Sequence, residues 1–318
     1  MDRCDYVTLK VFVRSRSVGQ QLDHELNTYK RLERGSKFHP GRQAVRMLLD
    51  SFDVNGPTDK HRCLVHPPLW ESALTFLRRN PIQRLPAPIL GTCKMIHTDI
   101  KADNIMLDID DDSVCTDFEQ SELQTPSPRK ELDDGRIIYE SPQLGIPKKH
   151  APPVLCDFGS AVPGDVEHLE DIQPAFYRAP EVILEVPWSY SVDIWDAGCV
   201  TWDMFEGEYL FTGDDPELQT YRGRAHLAEM IRLLGPPPPS LLAWGRLTRK
   251  FFPEEGEFCA GIPLQNPVSL EQRGTTLKEQ PEEREKFLRL MRKMVQWEPD
   301  KRSSARELLQ DEWIRENS

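Results

Sequence analysis

His97-Thr-Asp-Ile-Lys-Ala-Asp-Asn104, followed by the apolar Ile105-Met-Leu107, decides how this chain is read. An acid at Asp99, a lysine two residues later and an asparagine five residues later run straight into a segment with strand character. Asp99, Lys101 and Asn104 are the candidate reactive set.

Towards the N-terminus, Tyr6-Val-Thr-Leu-Lys-Val-Phe-Val13 alternates and is rich in β-branched residues, so it reads as a strand with Lys10 at its centre. From Val18 to Leu32 the spacing is helical, with Leu22, Leu26 and Tyr29 on one face and Glu25 on the same stripe. A carboxylate turned into an apolar face needs a partner, and Lys10 is the natural one. Ala44 to Val54 and His61 to Val65 read as two strands joined by a turn at Asn55-Gly-Pro57. His66-Pro-Pro-Leu69 then forms a connection whose prolines lack N–H donors. Trp70 to Arg79 reads as a short helix. Pro81, Pro86, Pro88 and Gly91 leave no room for a helix of average length between Asn80 and Met95.

Beyond Leu107, Asp108, Asp110, Asp112 and Glu119 fall at calcium-loop positions. Ser113 replaces the required glycine, however, and Thr125-Pro-Ser-Pro128 breaks the second helix, so calcium is set aside. Residues 108–152, polar and proline-bearing, read as an inserted surface loop with some disorder between two strands. Two Asp-Phe pairs compete, Asp117-Phe-Glu119 and Asp157-Phe-Gly159. The second follows the apolar Pro153-Val-Leu-Cys156, carries the conformationally free glycine and lies nearer Ala179-Pro-Glu181, so it is preferred. Ser191 to Phe205 reads as a buried helix capped by Ser191, with Asp193 in its first turn. Glu206, Glu208, Asp214, Asp215 and Glu217 read as a solvated acidic face. Helices are expected at His226–Leu234 and Glu282–Gln296 with a loop-rich segment between them, and Ser304-Ala-Arg-Glu307 is a capping box.

In this order, Lys10, Glu25, Asp99 to Asn104, Asp157-Phe-Gly159, Ala179-Pro-Glu181, Asp193 and Arg302 resemble the eukaryotic protein kinases over nearly the whole chain. His97-Thr-Asp-Ile-Lys101, Asp157-Phe-Gly-Ser-Ala161, Ile172-Gln173, Tyr177-Arg178 and Tyr209-Leu-Phe-Thr-Gly213 look most like the SR-protein kinases, in the branch with the cyclin-dependent and MAP kinases. The resemblance implies an α+β, two-lobed fold: an incomplete β-rich N-lobe at 1–66 and a mainly helical C-lobe at 67–318 carrying the 108–152 insertion. It implies Ser/Thr phosphorylation with ATP and Mg2+. Asp99 would be the base, Lys101 the charge stabiliser, and Asn104 and Asp157 the metal ligands. Lys10, held by Glu25, would bind phosphates, and Pro67 and Leu69 would read adenine. Asp193 would hold the catalytic loop, and Arg302 would pair with Glu181.

The chain departs from that pattern. It opens at the Lys10 strand, so the glycine-rich strand pair that covers the phosphates is missing from it, and the long helix before the catalytic loop is cut short. Pro174 stands where this branch has a threonine bracing Asp99 and Lys101. A pseudokinase or truncated gene product acting as a binding module is the alternative these departures raise. Thr98 replaces an arginine that grips a loop phosphate, and residues 157–181 offer only Ser160 and Tyr177 as hydroxyls, so activity should not need phosphorylation there.

The 318 residues suffice for a large core. A net charge of -12 argues against a nucleic-acid backbone as partner and fits a basic protein substrate, such as the Arg/Ser-rich proteins of the resembled family. Seven scattered cysteines point to reduced thiols, and no apolar run is long enough for a membrane span. The expectation is a protein of the cytoplasm or nucleus.

Overall fold

The computed structural model describes residues 6–12, 18–35, 40–56, 60–79, 95–253 and 256–316. Strand β1 (Thr8–Val11) pairs with β3 (Lys60–His66), which also pairs with β2 (Asp50–Asn55), in an antiparallel sheet of order β1-β3-β2. Helix α1 (Val18–Glu33) packs with Glu25, Thr28 and Tyr29 buried; the side chain of Leu22 lies outside the described residues. The alternation seen in the sequence is real in β1, where Thr8 and Lys10 face inwards and Leu9 and Val11 face solvent.

Two boundaries differ from expectation. The second strand begins at Asp50 rather than Ala44. Residues 44–46 instead run against Leu155, through Leu155 N–H to Ala44 and Arg46 N–H to Leu155. Trp70 is not helical either: Leu69–Ser72 forms β4, pairing with β6 (Ile105–Ile109), and helix α2 begins only at Ala73, running to Arg79. A pairing partner distant in sequence overrides local helical spacing here. Val13, Pro57 and most of the proline-rich stretch, residues 80–94, lie outside the described part.

Strand β5 (Met95–Ile96) leads into the 97–104 loop, which β6 follows directly. The expected loop insertion is instead structured. Helix α3 (Ser113–Gln124) buries Val114 and Cys115, and β7 (Arg129–Glu131) and β8 (Ile137–Tyr139) form a hairpin. Its turn has Gly135 at φ 79°, the left-handed conformation that Asp-Gly turns favour. The next strand, β9 (His150–Leu155), pairs with β6, and β10 (Val162–Pro163) with β5.

The rest is helical. After α4 (Pro180–Ile183), α5 (Ser191–Glu206) runs through the core, with Trp195 and Trp202 fully buried. Tyr190, not Ser191, occupies its cap position and makes no side-chain cap bond. Helix α6 (Gly223–Leu234) ends at Gly235 before the proline run. The segment expected to be loop-rich contains three one-turn helices, α7 (Pro239–Leu242), α8 (Thr248–Phe251) and α9 (Leu270–Arg273). In α10 (Pro281–Met294), Phe287, Leu290, Met291 and Met294 are buried as their spacing predicts. Gly198 lets α5 approach α10, since a Cβ there would lie 2.9 Å from Val295 Cγ2. Ser304 and Glu307 form the expected capping box at the start of α11 (Ala305–Leu308), which precedes α12 (Glu312–Glu316). Small sheets at one end and helices beyond give the mixed α+β class.

Candidate active site

The 97–104 loop hangs on the first turn of α5. Both oxygens of buried Asp193 accept backbone N–H bonds, from His97 at 2.7 Å and Thr98 at 2.9 Å. Thr98 adopts φ 66°, and its hydroxyl donates to Ser160 O at 2.9 Å. Asp157 and Gln173 also have positive φ, at 61° and 72°. Strain of this kind persists only where surrounding contacts enforce it; Glu185 and Gln219 share it elsewhere among the described residues, at φ 52° and 51°.

Downstream, Lys101 Nζ donates to both Asp99 oxygens, at 3.0 and 2.8 Å. Asn104 Nδ2 donates to Asp99 O and Oδ2, each at 2.9 Å. The asparagine is therefore turned with its nitrogen on Asp99.

Lys10 joins the sheet to the Asp-Phe-Gly turn. Its ammonium meets Glu25 at 2.9 and 2.8 Å and Asp157 Oδ1 at 3.0 Å. Burial opposes charge on Lys10, but the hydrogen bonds and charges of Glu25 and Asp157 outweigh it and raise its pKa. Burial likewise pushes the Asp157 carboxyl up, and the Lys10 ammonium more than reverses this, leaving it below the usual range. A ring column supports the pair: Tyr29 of α1 lies 5.5 Å from Phe158, which lies 5.1 Å from His97. Moving α1 would disturb Glu25 and the 97–104 loop together.

Two clusters result, Lys10–Glu25–Asp157 and Asp99–Lys101–Asn104. They are linked by Cys156 N–H to Asn104 O at 2.8 Å and by His97 Nε2 donating to Cys156 O at 3.0 Å. Pro67 and Leu69 join neither set of hydrogen bonds: they lie at the β3–β4 turn, where Pro67 O accepts from Arg46 at 3.4 Å and Leu69 packs with Val154 and Cys156. Magnesium takes oxygen ligands. The donor set fits that preference, because Asn104 uses its nitrogen on Asp99 and Asp157 bonds Lys10 and Gly159 N–H through Oδ1.

Further anchors have roles that the sequence did not assign, including Gln173, which it marked only as part of the resemblance. Gln173 donates to Val192 O and Asp196, and accepts from Ala179 N–H, fixing the segment before Ala179-Pro-Glu181. His168 stacks on Trp188 at 4.6 Å, and Trp188 donates to Glu170 O, so residues 163–170 are pinned by ring contacts. The acidic group at 206–217 is largely engaged internally. Glu206 caps Thr275 and Thr276, Asp215 and Glu217 hold Arg224, and Glu208 pairs with Arg273. Only spatial partners distinguish this from a free acidic face.

Tyr177 O–H donates to Asp203 at 2.6 Å. Burial pushes the Asp203 carboxyl up to about 7 against the pull of Tyr177 and of Leu210 N–H. The unfolded chain releases that proton near pH 4. Between those values the folded state holds a proton that the unfolded state has lost, so this group makes stability fall as pH rises from about 4 to 7. Asp203→Asn should flatten that slope and raise the melting temperature at pH 8. A pH–stability profile that keeps its wild-type slope would refute this.

The protein kinase domain family matches residues 146–314. This chain belongs to the protein kinase family. Its relatives are serine/threonine kinases that include SR-protein kinases. One from Aspergillus fumigatus is 37% identical over 316 residues, covering 97% of this chain and 78% of the relative. A Physarum polycephalum serine/threonine-protein kinase SRPK is 27% identical, covering 97% and 79%. The human dual specificity protein kinase CLK2 is also 27% identical, covering 96% of this chain and 57% of its own length. The chain is accordingly an SR-protein-kinase-like serine/threonine kinase, a family whose members use ATP and Mg2+ and act on proteins. No helix among the described residues is long and apolar enough to cross a membrane.

Proposed function

We propose that this chain transfers the γ-phosphoryl group of Mg-ATP to serine hydroxyls of basic, Arg/Ser-rich proteins in the cytoplasm or nucleus. The observation that carries the reading is the Lys10 ammonium shared between Glu25 and Asp157, across 147 residues of sequence to the latter. Residues 1–66 would be the partial N-lobe and 67–318 the C-lobe, with the insertion at 108–152.

Asp99 accepts the proton of the incoming hydroxyl and orients its oxygen. Lys101, resting on Asp99, is within reach of the anion that moves past it. Lys10 binds nucleotide phosphates, and Glu25 keeps its ammonium in place. Pro67 O and Leu69 N–H read the base. Asn104 and Asp157 hold magnesium, which when bound neutralises phosphate charge. Catalysis of this kind is mostly positioning and electrostatics. Asp165, Glu167, Glu170 and Asp171, against Arg178 alone, give the 160–178 segment a negative balance that suits a basic substrate.

Native-state binding raises stability by about 2.7 kcal/mol at a hundredfold excess over Kd. Mg-ATP should therefore raise the melting temperature by several degrees, less without Mg2+. No shift, with binding to an Arg/Ser-repeat peptide retained, would overturn the enzyme reading in favour of a pseudokinase.

A further inference from the structure

Asp196 lies three residues after Asp193 on α5, on the same side of the helix, and is 0% exposed. Its Oδ1 accepts from Gln173 Nε2 at 2.9 Å. Gln173, held at φ 72°, also donates to Val192 O at 3.0 Å and accepts from Ala179 N–H at 2.8 Å. The next residue, Pro174, has neither an N–H nor a hydroxyl to offer, so Gln173 carries the side-chain ties from this stretch to α5. Burial first, and then the Asp193 carboxylate, push the Asp196 carboxyl well above the usual range, while the backbone N–H of Ile100 and Gln173 pull it back. The remaining oxygen, Oδ2, is buried with no hydrogen-bond partner among the described residues. A buried polar group short of partners is unfavourable, so packing alone does not call for an acid at this position. Such breaches of the stability rules belong to places where function needs a particular geometry.

We propose that Asp196 is a positioning residue for phosphoryl transfer, joining Gln173 on one side to the backbone of Ile100 on the other and so fixing Asp99 against the segment that leads to Ala179-Pro-Glu181. The proposal rests on the phosphoryl-transfer reading above. Asp193 sets the loop at His97 and Thr98, and Asp196 sets it at Ile100, so two acids of one helix face hold the backbone on either side of Asp99. The Lys10–Glu25–Asp157 cluster takes no part in these bonds.

Steady-state transfer from Mg-ATP to an Arg/Ser-repeat peptide tests this, with melting curves giving the folded fraction of each variant at the assay temperature. In Asp196→Ala, kcat per folded molecule should fall about tenfold while the KM for ATP holds, because a small misplacement of the reacting groups is costly. Asp196→Asn, which keeps an oxygen for Gln173, should recover kcat to within about threefold of wild type. Gln173→Ala should lose as much as Asp196→Ala, and the double variant no more than either alone, since both remove one connection. Folded Asp196→Ala with wild-type kcat overturns the proposal, as do losses that multiply in the double variant. Should Asp196→Ala not fold, Gln173→Ala decides, and wild-type kcat there overturns it equally. Absence of transfer by folded wild type sinks the underlying reading and the proposal with it, whereas an active wild type with unaffected variants sinks the proposal alone.

Discussion

Arg302→Ala should destabilise the helical region by about 3–5 kcal/mol, the usual consequence of stripping one partner from a buried ion pair. Arg302 and Glu181 are 0% exposed in their side chains and bonded twice, at 2.6 and 2.7 Å. The guanidinium also donates to Ser191 O and Gln296 O and lies 4.9 Å from the Trp195 ring. Alanine would leave the Glu181 carboxylate in the core with no cation and vacate the space beside Trp195. Lysine cannot reproduce the planar fork and should recover only part of the loss. Urea unfolding followed by tryptophan fluorescence reads this directly. A loss below about 1 kcal/mol, the range of surface pairs, would contradict the structural role assigned to the pair.

Asp99→Asn should lower kcat by about 10²- to 10⁴-fold, the range expected when a positioned proton acceptor is removed. The amide is close in size to the carboxylate, but both Asp99 oxygens accept from Lys101 and one also from Asn104, so the amide nitrogen faces a donor and part of the loss comes from that local rearrangement. Asp193, which carries the loop, is untouched. The KM for ATP should consequently change little, because Lys10, Glu25 and Asp157 form the separate cluster. Steady-state kinetics that show kcat within threefold of wild type would remove Asp99 from the role of base.

Much of this arrangement is legible because its signals are local or strongly typed. Glu25 on an apolar stripe demands a cation, and Lys10 supplies it at 2.8 Å. Asp193 and the Ser304–Glu307 box announce themselves by position in a first helical turn. What escaped depends on partners distant in sequence. Leu69–Ser72 is a strand because β6 lies beside it. The 206–217 acids are engaged because Arg224, Arg273 and Thr275 fold back upon them. The insertion hairpin did carry a local sign, Asp134-Gly135 between Arg-Lys-Glu and Ile-Ile-Tyr, but proline content and polarity drew the reading towards a loop.

On the proposed function, the two clusters act together in phosphoryl transfer. Its most direct test is transfer of labelled γ-phosphate from Mg-ATP to an Arg/Ser-repeat peptide, wild type against Asp157→Ala. Incorporation by wild type that disappears in Asp157→Ala, with both proteins folded by melting curve, is the predicted result. No incorporation by folded wild type, or equal incorporation by the two, would contradict it.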